Sequence, residues 1–268
     1  MDALVVSDLH YVRANQNSLA QHEPRLKERR SDLGRVLLRE MFQRLQKEGI
    51  AIDLAIVLGD VVDYGGATGA EQDMAEIARM LHELGVPVLA VPGNHDGDPQ
   101  RYGAIFGNGP GLFRIERAGA WRYGFYVYRD WTGPGDVTVR PPGAVHMPVQ
   151  IAAQEPELPL VMLQHNPLHP PIERTYPYVL ANAAEVMDAY REAQVVLSLS
   201  GHYHDGQAAH EVDGVIYYTV PALCEAPFRF ARLSLMGRHV ELQEYTLEDD
   251  PRDPKGLRMG IRRKNLRA

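Results

Sequence analysis

One local pattern recurs five times in this chain: a short apolar run that breaks off at once into Asp, Asn or His. The run over 3–7 leads into Asp8-Leu9-His10, and Leu54–Leu58 leads into Gly59-Asp60-Val61-Val62-Asp63. Val86–Val91 leads into Pro92-Gly93-Asn94-His95-Asp96, Leu160–Leu163 into Gln164-His165, and Val195–Leu199 into Ser200-Gly201-His202-Tyr203-His204. Apolar runs this short, bounded by turn residues, read as strands buried on both faces. Helix-period stretches separate the first three. One runs from a capping Ser31 to Lys47 and stops at Gly49; the other covers Gln72–Leu84 and stops at Gly85. Strand–helix–strand at about 30-residue spacing predicts right-handed crossovers and largely parallel neighbours. In such sheets ligands bind beyond the carboxyl ends of the strands, so the five clusters are predicted to converge.

The remainder of the chain reads differently. Asp213-Gly214 between Ala208–Val212 and Val215–Val220 is a hairpin signal, and Phe228–Leu235 with Val240–Tyr245 reads as a second antiparallel pair. Trp121–Tyr128 alternates as an edge strand, in which Trp121, Tyr123, Tyr126 and Tyr128 are expected to pack in a sheet rather than stack on bases. Gly133–Pro148 is expected to be an ordered loop. Tyr11–Arg30 is polar and irregular and reads as a long loop following the first ligands, with Arg13, Asn15, Asn17 and His22 as donors. The segment Lys255–Ala268 is basic and has no acid, which predicts a solvated tail. The expected organisation is thus one domain over 1–250 and a tail over 251–268.

Bulk properties narrow the function. Hydrophobic residues make up 45% of 268 positions, enough for a sizeable core. The net charge of -7 gives no support to coating a long nucleic acid, which calls for a basic balance. Cys224 is the single cysteine and cannot form an internal disulfide, and Ala3–Val6 is too short for a leader or a membrane span. A cytoplasmic location is expected.

The clusters have coherent chemistry. Carboxylate and imidazole together suit Mn, Fe or Zn better than the all-oxygen shells of Ca or Mg. None of the clusters contains cysteine, which argues against a thiolate zinc site or an iron–sulfur cluster. Seven ligands exceed the need of one ion and suit two ions sharing a carboxylate. Each piece alone has an ordinary reading: Gly-Asp-x-x-Asp as a turn, Gly-Asn-His-Asp as a helix cap, His165 as a core histidine. The inference rests on the ordered set.

That set, Asp-x-His, Gly-Asp-x-x-Asp, Gly-Asn-His-Asp, His and Gly-His-x-His, resembles the calcineurin-like metallophosphoesterase superfamily from Asp8 to His204. The resemblance implies an α/β fold with a two-sheet β-sandwich of mixed strands flanked by helices, in four layers α/β/β/α. It implies that Asp8, His10, Asp60 and His204 hold one metal. Asp60, Asn94, His165 and His202 would hold the other, with two Mn, Fe or Zn ions bridged by Asp60. His95 matches the catalytic histidine that contacts the phosphoryl group or leaving oxygen, and Asp63 and Asp96 match residues that orient histidine N–H groups. The blocks most resemble small bacterial class III cyclic nucleotide phosphodiesterases, except that Asn166 stands where those commonly have a second histidine. The expected activity is hydrolysis of a small phosphodiester, a cyclic nucleotide among them, by in-line attack of a metal-bridging hydroxide. A phosphomonoesterase, for which Arg13 could read the extra charge, and an inactive binding scaffold remain alternatives. A small phosphate ester is the expected partner, with no membrane and no long nucleic acid; a homodimer is left open.

Overall fold

Strand β1 (Asp2–Val6) sets the layering, because its buried side chains point two ways. Leu4 and Val6 pack outward against helices, while Ala3 and Val5 pack inward against a second sheet. The computed structural model describes residues 1–13, 29–108, 113–127, 130–237, 239–250 and 253–262. In it β1 pairs in parallel with β2 (Leu54–Val57), and β2 with β3 (Val88–Ala90). On the other side β1 pairs antiparallel with β12 (Arg229–Met236), which continues into β13 (His239–Asp250) and β14 (Asp253–Arg262). This six-stranded sheet has the order β14-β13-β12-β1-β2-β3.

The second sheet is built from β4 (Phe113–Ala118), β5 (Trp121–Tyr126), β8 (Leu160–Leu163), β9 (Val195–Ser200), β10 (Gln207–Val212) and β11 (Val215–Thr219), in the order β10-β11-β9-β8-β5-β4. Its four central strands are parallel and its two outer pairings antiparallel. Phe125, Val161, Leu163, Leu197, Leu199 and Tyr218 face Val5, Ile56 and Leu58 across the sandwich. Outside the first sheet lie α1 (Gly34–Lys47), α2 (Ala70–His82) and α3 (Pro99–Phe106), which bury Leu37, Met41, Ile77, Leu81, Tyr102 and Phe106. Outside the second lie α4 (Pro142–Val145), α5 (Met147–Ala152) and α6 (Ala183–Glu192), led by Val186 and Tyr190. The result is the expected four-layer α/β/β/α sandwich. No helix among the described residues is long and apolar enough to cross a membrane.

Several local expectations are corrected. Ser31 opens a 3-10 turn over Ser31–Leu33 and makes no capping hydrogen bond to α1. Helix α2 begins two residues earlier than its apolar period suggested, after Gly69 at φ 91°. The stretch Gly133–Pro148 holds α4, the start of α5, and part of a small hairpin of β6 (Trp131–Thr132) and β7 (Thr138–Val139). The terminal segment is not simply a solvated tail: β14 pairs with β13 from Glu244↔Arg262 to Asp250↔Asp253. Leu257, Met259 and Ile261 give it the two-residue period of a strand, a signal hidden by the count of basic residues. Arg263, Lys264, Arg267, Tyr128, Asn15, Asn17 and His22 lie outside the described residues.

The β6–β7 hairpin is fastened at its base by an ion pair. Arg140, fully buried, donates from Nε and Nη2 to the two carboxylate oxygens of Asp130, both at 2.9 Å. Its Nη1 donates to Gln164 Oε1 and Tyr190 Oη at 3.1 Å, and its Cζ lies 3.7 Å from the Tyr126 ring centre. Removing one partner of such a pair strands a buried charge, at a cost of about 3–5 kcal/mol. Asp130→Ala should therefore lower unfolding stability by about that amount in urea titrations; a loss below about 1 kcal/mol, the range of a surface pair, would contradict this role.

Candidate metal centre

Both sheets deliver the carboxyl ends of parallel strands to one edge of the sandwich. Asp8 and His10 follow β1, Asp60 follows β2, and Asn94 and His95 follow β3; His165 follows β8, and His202 and His204 follow β9. Asp8, His10, Asp60 and His202 have left-handed backbone, at φ 53°, 46°, 50° and 68°. Such conformations cost non-glycine residues about 1–3 kcal/mol and concentrate at functional sites. Here the sharp turns let side chains project back over the strand ends instead of continuing the sheet.

The motif glycines are required by close approach. A Cβ on Gly93 would collide with Asp60 Oδ1, and one on Gly201 with Ser7 Oγ. One on Gly59 would lie 2.5 Å from His165 Nδ1. These positions are pressed against the backs of the candidate ligands.

Two sets of donor atoms share one oxygen. In the first, His10 Nε2 lies 3.2 Å from His204 Nε2, 3.5 Å from Asp60 Oδ2 and 3.8 Å from Asp8 Oδ1, and His204 Nε2 lies 3.5 Å from Asp8 Oδ1. In the second, His165 Nε2 lies 3.3 Å from the same Asp60 Oδ2 and 3.0 Å from Asn94 Oδ1, and His202 joins His165 and Asp60 within 4.8 Å. Ligands about 2.0–2.2 Å from a common tetrahedral ion stand roughly 3.3–3.6 Å apart, a spacing that the separations of 3.0–3.8 Å given for the other ligands bracket. The other carboxylate oxygens are committed elsewhere. Asp60 Oδ1 accepts from the His95 amide at 2.8 Å, and Asp8 Oδ2 from the His202 amide at 3.0 Å and Ser7 Oγ at 2.5 Å. Asp8 Oδ1 is buried with no hydrogen bond of its own, as an atom aimed at a cation would be.

Electrostatics agree. Burial works to raise the Asp60 carboxyl, and His165 overrides it, holding Asp60 well below the usual carboxylate range. Burial likewise lowers the His165 imidazolium, but Asp60 and then Asp8 lift it to about 10. His204, lowered by burial, is lifted to about 9 by Asp8 and Glu225. Burial and the neighbouring His165 push His202 down to about 3, and burial with Arg29 holds His10 well below its ordinary value. Two imidazoles thus carry protons that a bound cation would displace.

The tautomers are fixed from behind. His165 Nδ1–H donates to the Leu58 carbonyl at 2.7 Å, and His204 Nδ1 bonds Glu225. Asp63 Oδ1 stands 3.5 Å from His10 Nδ1. Asp96 differs from expectation. Its carboxylate accepts from the amides of Val61 at 2.7 Å, Val62 at 3.2 Å and Gly93 at 2.8 Å, joining two ligand loops rather than orienting an imidazole. Burial, then Asp60, pushes its carboxyl up to about 7. His95 Nδ1–H donates to the Asp63 carbonyl at 2.5 Å, and its ring meets that of His10 edge-on at 4.6 Å.

Arg13 turns away from the centre. Its Nε lies 2.8 Å from Asp73 and 3.3 Å from Glu76, both on α2, and its Nη2 donates to the Gln72 carbonyl at 3.2 Å. These carboxylates capture the guanidinium and make it unavailable for the expected substrate contact. Sequence reading also missed three neighbours. Glu225 backs His204, and Arg29 Nη1 lies 3.4 Å from His10 Nδ1 and 3.6 Å from Asp63. Cys224 comes within 4.8 Å of His10 and His204 donor atoms, so the expected absence of cysteine from the clusters holds in sequence and not in space. Burial pushes its thiol far up. The signal for Glu225 and Cys224 was only their position just before a strand.

The sequence matches the calcineurin-like phosphoesterase family over residues 1–206. The chain belongs to that family. In structure it is similar to a dimetal phosphatase from Danio rerio, at a TM-score of 0.73 and 15% identity over 91% of this chain and 95% of that one. It is also similar to TT1561 of Thermus thermophilus, at 0.55 and 15% over 90% and 97%. GAP50, the anchor in the inner membrane complex of Plasmodium, aligns at 0.53 and 11% over 98% and 90%. Comparison with curated proteins gives no match.

After dialysis against excess Mn²⁺ and buffer, elemental analysis should find that Asp60→Ala loses both ions and His10→Ala chiefly one. Glu225→Ala should lower metal affinity about 10–100-fold, the usual effect of losing a residue that orients a ligand. Two equivalents retained by Asp60→Ala would contradict the shared-oxygen arrangement.

Proposed function

We propose that this chain hydrolyses a small phosphodiester, a cyclic nucleotide among them, at a dinuclear centre of Mn, Fe or Zn. The observation that carries the reading is Asp60 Oδ2, which faces His10 at 3.5 Å and His165 at 3.3 Å and so belongs to both donor sets. Asp8, His10, Asp60 and His204 would hold one ion, and Asp60, Asn94, His165 and His202 the other. Two such ions acidify bound water and neutralise phosphoryl oxygens during an in-line displacement.

The chain's own residues supply the rest. The Asp63 carbonyl accepts a hydrogen bond from His95 Nδ1–H, which leaves Nε2 as the ring atom that would donate to the leaving oxygen. His95 is half-buried, unlike fully buried His10 behind it. Asp96 braces the loops that carry Asp60 and Asn94 through three amides. A similar fold serves as an anchor in GAP50; the complete ligand set and His95 favour catalysis here.

A diester is preferred over a monoester because the latter's second charge calls for an added cation. Arg13 is held by Asp73 and Glu76. Arg29 sits on the Nδ1 side of His10, behind the Nε2 that faces the donor set. The likeness of the motif blocks to class III cyclic nucleotide phosphodiesterases supports the same choice, and the single cysteine supports a cytoplasmic setting. The acidic chain, short of the several Lys or Arg contacts that a long polyanion requires, supports a small ester as partner.

With Mn²⁺ saturating, kcat/KM should be higher for bis(p-nitrophenyl) phosphate than for p-nitrophenyl phosphate, and cyclic AMP should be turned over. A monoester preference of about tenfold or more, worth roughly 1.4 kcal/mol, would reverse the ranking. His95→Ala should keep its metal and lose about 10²–10⁴-fold in kcat, less for esters with good leaving groups. Equal losses across leaving groups would assign His95 a purely electrostatic role.

A further inference from the structure

Three tyrosines border the candidate ligand His202 on one side of the centre. The Tyr176 and Tyr178 ring centres lie 5.7 and 5.4 Å from the His202 ring. Tyr178 in turn lies 4.8 Å from Tyr176 and 5.0 Å from Tyr203, all in tilted or edge-on contact. Each of the three is partly exposed, whereas Tyr102, Tyr123 and Tyr190 are fully buried. Neither Tyr176 nor Tyr178 has a hydrogen-bond partner for its hydroxyl among the described residues, so no polar tether accounts for their place.

The backbone beneath these rings is fastened. Asn166 Nδ2 donates to the Tyr178 carbonyl at 3.2 Å, Gln207 Nε2 to the Pro170 carbonyl at 3.0 Å, and Leu180 is buried. Asn166 follows His165 directly, so the segment carrying the rings is tied to a ligand loop. The wall is therefore preformed, which reduces the ordering cost of binding. A rigid, uncharged aromatic wall beside a phosphate-binding centre is suited to the organic part of an ester. Ring faces favour another flat ring over an alkyl chain, through offset or edge-on contact.

We propose that Tyr176, Tyr178 and Tyr203 form a stacking subsite for a planar aromatic group, a nucleobase or an aryl ring, borne by the phosphate compound at the centre. The proposal deepens the phosphoesterase reading and rests on it for the phosphate anchor.

Calorimetric titration of the full Mn²⁺-loaded chain tests it with ligands that cannot turn over. The probes are the phosphonate analogues of AMP and of ribose 5-phosphate, with benzylphosphonate against ethylphosphonate as the aryl arm. The AMP analogue should bind at least about tenfold more tightly than the ribose analogue, within the range of base–aromatic stacking. Tyr178→Leu should reduce that ratio below about threefold, and Tyr178→Phe should restore it. A benzyl preference of similar size assigns the subsite to any flat ring; its absence assigns it to nucleobases. Equal affinities in the unmodified protein, or a base preference untouched by Tyr178→Leu, would overturn the subsite. A base preference that depends on Tyr178, in a protein that hydrolyses no ester, would overturn the phosphoesterase reading alone.

Discussion

Asp60 is a carboxylate buried between imidazoles, with 1% of its surface exposed. Taking an ion of this size out of water costs several kcal/mol even after relaxation. One oxygen is offset by the His95 amide; the other faces His10 and His165, which reach it from different sheets. The sandwich must therefore hold two sheet edges in register to within a few tenths of an ångström at this point. Gly93, Gly59 and Gly201 allow that closeness. Larger residues would push Asp60, His165 or Ser7 out of place.

The remaining architecture follows from the same requirement. Parallel strands end in loops on one side, so β1, β2 and β3 of one sheet and β8 and β9 of the other can all offer ligands there. The antiparallel strands β12–β14 complete the first sheet on the side of β1 opposite β2 and β3. Left-handed turns at Asp8, His10, Asp60 and His202 are local strain that the packed core sustains. Asp96 and Arg140 occupy equivalent positions in this logic: each is a buried charged group that ties segments together, Asp96 through amides and Arg140 through Asp130, Gln164 and Tyr190.

The strands and ligand positions were legible because a strand buried on both faces has to be a short apolar run, and ligands have to follow its end. Asp213-Gly214 was legible because the hairpin needs two positive φ values, 51° and 79° here. Helix α3 was not read in the sequence: Asp98, whose side chain accepts from the Gln100 amide at 2.8 Å, and Pro99 start it, but its eight residues carry too little period to stand out. The partners of side chains were not legible. Asp63 and Asp96 sit in the same kind of motif position, yet one approaches an imidazole and the other binds amides. Arg13 and Arg29 flank one segment, yet only Arg29 comes near His10. Glu225 and the tyrosines at 176 and 178 arrive from distant loops, where only tertiary packing decides what they touch. Trp121, Tyr123 and Tyr126, read as sheet packing, are indeed buried in β5, which lies between β4 and β8 rather than at the expected sheet edge.

The central claim is that the five strand ends form one two-ion centre with Asp60 in the middle. Anomalous diffraction at the manganese edge, on crystals grown with Mn²⁺, tests it most directly. It should show two peaks about 3.5–4 Å apart, as in two-metal sites generally, one beside Asp8, His10 and His204, the other beside Asn94, His165 and His202, with Asp60 touching both. A single peak, or peaks away from Asp60, would contradict the account.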